Sequence, residues 1–565
     1  MSNVKNNEFT FTALALGVLM AVTFGAANAY LGLRVGLTVS ASIPAAVVSM
    51  GILRLLLRRN SILENNMVQT IASAGESLAA GAIFTMPAIY LWAEEGLCDV
   101  PGMLPLSIIA IAGGVLGVLI MVPLRRPLIV EEAETLIYPE GRACADVLRA
   151  GEAGAGRAKI VFAGFGIAAL IKIVTDTLKW IPAALSHSFQ GIKGAIGFDL
   201  SPALLGVGYI AGPKVSTLLF AGSLLGWMVL MPLCCAFSPA AADLWANGGA
   251  RAVWAEHVRY IGAGAIAAGG ILSVLKAIPL FMRTFHQKDT TASAKNHDLP
   301  LSRVFIGIAA VIAFLWAVPA VPVGIGGAIL IALFGFFFAA VSARMVGLVG
   351  SSNNPISGMT IVTLVIAALA LKVTGATGAA GMIAAMSVGS VVCIVAAIAG
   401  DTAQDLKTGH ILGATPWRQQ IGELIGVVAS AVAIGAVMKL LHAAWGFGSD
   451  QLAAPQATLM KVVVEGIMGG NLPWELIAIG TGIAVVLAVC RVPVMPCAIG
   501  IYLPVGINAA IFTGGMIRLG IAKRQPRQTD SSKPSDDPCT LLAAGFVAGE
   551  GLCGILLALL AIAWK

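Results

Sequence analysis

Charge is what this chain of 565 residues has least of: 35 Lys and Arg with 28 Asp and Glu make up 11% of it, where a soluble domain carries about 25%. So few charges cannot cover a water-facing surface, and a soluble fold is excluded. Alternation is missing as well. The apolar runs that recur from Phe11 to the C-terminus are continuous, which excludes a transmembrane β-barrel. There is no phosphate-binding glycine loop, no GxSxG, no HExxH and no CxxC pair, so ATP hydrolysis within the chain is set aside. The six histidines are scattered, and most of the nine cysteines fall inside apolar segments. Neither set has metal-ligand spacing, and the sequence calls for no cofactor. The net charge of +7 is gathered into a few loops. That pattern reports orientation, not a nucleic-acid partner.

What remains is a polytopic, all-α membrane protein. One span with its loop uses roughly 30 to 35 residues, so 565 residues accommodate about sixteen. The first run, 10–33, is too long for a signal-peptide core and reads as an uncleaved span. The second, 38–57, ends in Arg54, Arg58 and Arg59 on the cytoplasmic side. Pieces near 138–150, 199–212, 403–414, 455–469 and 494–505 are too short to cross alone and read as broken or re-entrant helices. Gly, 66 of the residues, suits close helix packing. The hydrophilic stretch between Arg283 and Arg303 divides the chain into an N-terminal half, 1–285, a cytoplasmic linker, 286–303, and a C-terminal half, 304–565. The halves echo one another weakly, as carrier repeats do.

Polar residues inside a span are costly, and each is by default a candidate for function. At 100° per residue Asn66, Gln69, Ser73 and Glu76 share one helical face, and Glu76 is the first-half carboxylate best placed to titrate. The alternative is a stripe of interhelical hydrogen bonds. Between Gly400 and Pro416 lie Asp401, Gln404, Asp405, Lys407 and His410, with glycines that let the backbone break. Such a segment could bind an amphoteric solute through Lys407 and an acidic partner; the alternative is a solvated hairpin. Gly/Pro-broken segments also carry Tyr138 and Glu140, Asn353 and Asn354, and Tyr502. Glu550, between two glycines in the last apolar stretch, reads as a buried carboxylate or as one paired for assembly.

Taken in order, Asn65-Asn66-x-x-Gln69-Thr70-x-x-Ser73-Ala74-Gly75-Glu76, Tyr138-Pro139-Glu140-Gly141, Ser352-Asn353-Asn354-Pro355, Asp401-x-x-Gln404-Asp405-Leu406-Lys407-Thr408-Gly409, Gly500-Ile501-Tyr502-Leu503-Pro504 and Gly549-Glu550-Gly551 resemble the oligopeptide transporter family. The likeness covers about residues 10 to 560 and is nearest the yellow stripe-like branch in bacterial form. It implies a multi-pass carrier of the bacterial cytoplasmic membrane, not an enzyme, that imports small peptides or peptide-like metal chelates by proton-coupled symport. The expected partners are that substrate, H⁺ and membrane lipid, with small residues leaving room for a homo-oligomer. A sodium-coupled carrier of another small amphoteric solute is the alternative, with an intramembrane enzyme using Asp401, Asp405 and His410 a distant third.

Overall fold

The computed structural model describes residues 8–36, 38, 40–55, 58, 59, 61–133, 136–151, 156–269, 272, 298–351, 354, 356–449, 451–469, 473–524 and 538–563. Asn353 and linker residues 286–297 lie outside them.

Helix α1 (Phe11–Val35) begins where Thr10 accepts from the Ala13 N–H and ends at Gly36, whose φ of 73° is the left-handed stop that glycine permits. Then come α2 (Ser42–Leu55), α3 (Ile62–Ile83), α4 (Pro87–Glu94), α5 (Met103–Arg125), α6 (Pro139–Gly151) and α7 (Gly156–Lys172). A hairpin, β1 (Ala184–Phe189) and β2 (Gly194–Asp199), pairs Ala184 with Asp199. After it run α8 (Pro202–Leu224), kinked at Gly212 before Pro213, α9 (Met231–Phe237), α10 (Pro239–Val253) and α11 (259–269). The chain continues as α12 (Leu301–Ala317), α13 (Gly324–Val349), α14 (Ile356–Val373), α15 (Gly378–Leu412) and α16 (Pro416–Trp445). It closes with α17 (Pro455–Met468), α18 (Trp474–Val489), α19 (Val494–Tyr502), α20 (Val505–Arg524) and α21 (Pro538–Ala563). Among the described residues ten helical stretches are long and apolar enough to cross a bilayer, with four shorter apolar helices beside them. The protein is a multi-pass membrane protein. Among the described residues the hairpin is the one sheet, and the sequence did not signal it, since 184–199 is neither a long apolar run nor strictly alternating.

Packing joins elements that are distant in sequence. In one bundle α3 lies against α1, α15 and α16, and α15 also contacts α5, α13 and α14. In a second, α8 lies against α19, α20 and α21, and α7 against α21. Backbones touch there: a Cβ on Gly208 of α8 would stand 1.8 Å from the Ile511 carbonyl oxygen, and one on Gly514 of α20 2.0 Å from that of Leu205. This is the small-residue packing available to helices in lipid.

Two elements correct the sequence reading. The 400–416 segment does not break. It is the last third of α15, an unbroken 35-residue helix that ends at Gly413, φ 78°. Its glycines serve contact instead: a Cβ on Gly400 would meet Ser342 Oγ at 2.7 Å, and one on Gly409 the Gln419 amide at 1.8 Å. Nor is α2 a full span. Fourteen residues reach about 21 Å, and its start is buried, because the Ala41 N–H donates to Glu76, fourteen residues along α3 from Ile62.

Candidate functional site

Helix α3 is buried along its length from Glu64 to Ile83, so its polar stripe faces protein. Ser61 accepts from the Glu64 N–H and sets the helix start. One turn apart, the stripe meets α15 twice. Gln69 Nε2 donates to Asp405 Oδ1 at 2.5 Å, and Ser73 Oγ to Asp401 Oδ2 at 2.5 Å. Having given its proton to Asp401, Ser73 Oγ accepts from Ser42 Oγ at 2.7 Å, which ties the start of α2 to the pair. Glu76 accepts from Asn28 Nδ2 of α1 and from the Ala41 N–H.

A fourth carboxyl completes the row. Glu423 on α16, fully buried, faces Asp405 and Asp401. Both its oxygens, Asp405 Oδ2, Gln69 Oε1 and both polar atoms of Asn66 lack a hydrogen-bond partner among the described residues. No cation faces the row among the described ion pairs. Buried carboxylates without cations are costly to keep charged, so Glu76, Asp401, Asp405 and Glu423 form a polar strip suited to holding and passing protons. Glu423 and Asn28 escaped the sequence reading. The signal for Glu423 was Gln419, Gln420 and Glu423 within the first two turns of an apolar span, at the i, i+4 spacing that puts Gln419 and Glu423 on one face.

Glu76 sits where cavities meet. A throat of about 30 Å³, lined by Thr38, Glu76, Ser77, Asn354 and Asp401, shares Thr38, Ser351, Asn354 and Ile356 with a chamber of about 630 Å³ between the two bundles. On its other side Glu76 borders a mostly apolar pocket of about 80 Å³ against Ala544 and Val547 of α21. The chamber falls within the range of roughly 300–1,000 Å³ that small-molecule sites occupy.

The remaining sequence candidates lie elsewhere in the bundle. Gln404 is satisfied by backbone on both sides: its Oε1 accepts from the Gly141 N–H at 2.8 Å and its Nε2 donates to the Val346 carbonyl at 2.9 Å. That bond is what the Tyr138 to Gly141 turn docks on. Tyr138, at φ 51°, is fully buried. Glu140 lies within electrostatic range of Glu76 and Asp401. Lys407 turns away from the row: its Nζ donates to the Ile129 carbonyl at 3.2 Å and lies 5.8 Å from the centre of the Tyr138 ring. His410 is exposed near the end of α15. Tyr502 ends α19 in the second bundle, its carbonyl accepting from Trp254 Nε1 at 3.0 Å. Glu550 makes a separate cluster, joined to Arg34 Nη1 at 2.8 Å, Ser201 Oγ at 2.8 Å and the Ala203 N–H at 2.9 Å. Arg34 reaches Asp199 of the hairpin at 3.6 Å.

The sequence profile of the family described as "OPT oligopeptide transporter protein" matches residues 8–561. The chain belongs to the OPT oligopeptide transporter family. A Haemophilus influenzae protein named "Putative oligopeptide transporter" is 34% identical over 589 residues, an alignment covering 94% of this chain and 92% of that one. A Saccharomyces cerevisiae protein of the same description is 32% identical over 91 residues, 16% of this chain and 13% of its own. In this OPT chain the kink of α8 at Gly212 and the chamber between the bundles stand beside the carboxyl row.

Proposed function

We propose that the protein imports small peptides, or peptide-like metal chelates, across the cytoplasmic membrane with protons. One observation carries this reading: a buried row of four carboxyls without a facing cation among the described residues, opening through a narrow polar throat into a chamber large enough for a short peptide. Asp401 and Glu76 stand at the mouth, and Gln69, Asn66, Asp405 and Glu423 extend the row toward one end of α3. A proton entering the row changes the charge at the chamber wall, and substrate and proton then affect one another through a few ångströms of polar protein. Both substrate classes carry carboxylates and amines, which suits a chamber lined by Lys214 and Arg491 beside a throat lined by Glu76 and Asp401.

The test is uptake into reconstituted vesicles of a labelled tripeptide, free or as a chelate with Fe³⁺, under an imposed inward proton gradient without sodium. Uptake is expected to rise at least ten-fold over the rate without the gradient. Glu76→Gln and Asp401→Asn are each expected to abolish that rise. Uptake indifferent to the proton gradient, or dependent on sodium in place of choline, overturns proton coupling.

A further inference from the structure

Outside the residues it shares with the throat, the chamber wall carries the opposite charge. Lys214 on α8 and Arg491, in the turn between α18 and α19, both line it, and neither has a carboxylate partner among the described residues. Lys214 and Arg491 are open to the solvent-accessible side of the chamber, whereas the buried arginines are clamped: Arg34 by Glu550, Arg125 by Asp298, Arg344 by Glu132. Arg491 moreover keeps a left-handed backbone, φ 58°, without being glycine. Such conformations persist where surrounding structure imposes them, and they gather at ligand sites.

Between the two charged ends the chamber offers acceptors with nothing to accept. Ser351 Oγ, Asn354 Oδ1 and Gln456 Oε1 are buried and without a partner among the described residues. The orientation of the Asn354 amide is fixed: Ser342 Oγ gives its proton to the Ala396 carbonyl at 2.5 Å, so it receives Asn354 Nδ2 at 2.7 Å and leaves Oδ1 free. Gln456 Nε2 likewise donates to the Gly36 carbonyl at 3.3 Å. The first turns of α14, α17 and α19 also reach the chamber, through Ile356, Gln456 and Val494. Helix starts favour negative charge beside them.

A ligand for this wall needs an anionic end, several N–H donors and a cationic end. We propose that the chamber binds a short peptide lengthwise, its terminal carboxylate on Lys214 and Arg491, its amide N–H groups on Asn354 and Gln456, and its ammonium end toward the Glu76 and Asp401 throat. This rests on the peptide-import reading above and assigns the ends of the substrate. Free carboxylate is then required, because a C-terminal amide leaves two cations without their partner.

The experiment measures competition for uptake in reconstituted vesicles by a tripeptide, its C-terminal amide and its N-acetyl derivative. On the unaltered protein the free acid is expected to compete at least about ten-fold more strongly than the amide, the usual size of a lost charge-assisted contact. In Lys214→Met with Arg491→Met the ratio of acid to amide competition is expected to fall to about one; Lys214→Arg is expected to keep most of the preference. Equal competition by acid and amide on the unaltered protein overturns the assignment and leaves peptide import standing. No competition by any of the three peptides overturns peptide import, and the assignment with it. Because the acid and amide are compared on the unaltered protein, a variant that fails to fold does not shelter the proposal.

Discussion

Gly208 and Gly482 are the same residue in opposite surroundings. A methyl group on Gly208 would lie 1.8 Å from the Ile511 carbonyl oxygen, an atom of backbone that cannot rotate aside, whereas one on Gly482 meets nothing within 4 Å. Gly208→Ala must therefore push α8 and α20 apart, at about 2 kcal/mol or more. Gly482→Ala is expected to change stability by no more than about 1 kcal/mol. Thermal unfolding of the two variants in one detergent checks this, and an equal effect would show that α8 and α20 do not meet at these glycines. The sequence makes such a contrast hard to see, because both glycines stand in apolar runs and only the neighbouring helix separates them. Glu76 was legible at this scale, since a carboxylate inside an apolar span is conspicuous by its cost; Asp401 was singled out only as part of a segment read as broken, which α15 runs straight through. Glu423 was not: seven residues past Pro416, in the first turns of an apolar span, it faces Asp405 and Asp401 only once the course of α16 is known.

Among elements, the cluster around Glu550 binds four together. The carboxylate takes an ion pair from Arg34 of α1, while Ser201 Oγ and the Ala203 N–H bring the start of α8 to the same group of α21. Arg34 extends the tie to Asp199 at the end of β2. Removing one partner of such a buried pair strands the other, at about 3–5 kcal/mol. Glu550→Gln is expected to lower the thermal unfolding temperature by several degrees. Replacing Arg34 and Glu550 together by Met is expected to recover part of that loss. An unchanged melting curve in Glu550→Gln would mean that Arg34 is not committed to this carboxylate. Hydropathy revealed most of the long helices of the fold, because a run of twenty apolar residues has few alternatives. The half-helices were harder. The 403–414 piece looked like a fragment because Gly409 and Gly413 bound it, yet Gly409 is there to admit Gln419, and the fragment continues α15. Conversely α2 looked like a span because the apolar stretch runs back beyond its first turn, into the 36–41 connection that ends at Glu76.

Across the whole molecule, the two bundles are not the two ends of the sequence. α3 packs on α15 and α16, and α8 on α19, α20 and α21, so each bundle takes helices from both sides of the 286–303 linker. Neither 1–285 nor 304–565 is therefore expected to be stable when produced alone. Produced together as two chains divided within the linker, they are expected to copurify and to transport. Stable accumulation of either piece by itself would contradict the interlocked packing. This interlocking was out of reach of a reading that moves along the chain, since a weak echo between halves carries nothing about which helix touches which.

One consequence of α15 concerns how such a molecule can change shape. An unbroken helix of 35 residues is a rod of about 52 Å, longer than the hydrocarbon layer it crosses and in contact with α3, α5, α13 and α14 along the way. A rod stiffened along its length cannot itself open one side and close the other. On the import reading proposed above it is expected to serve as a fixed mast that holds Asp401 and Asp405 at a constant height, which leaves any change of access to the shorter pieces around it, α17 among them.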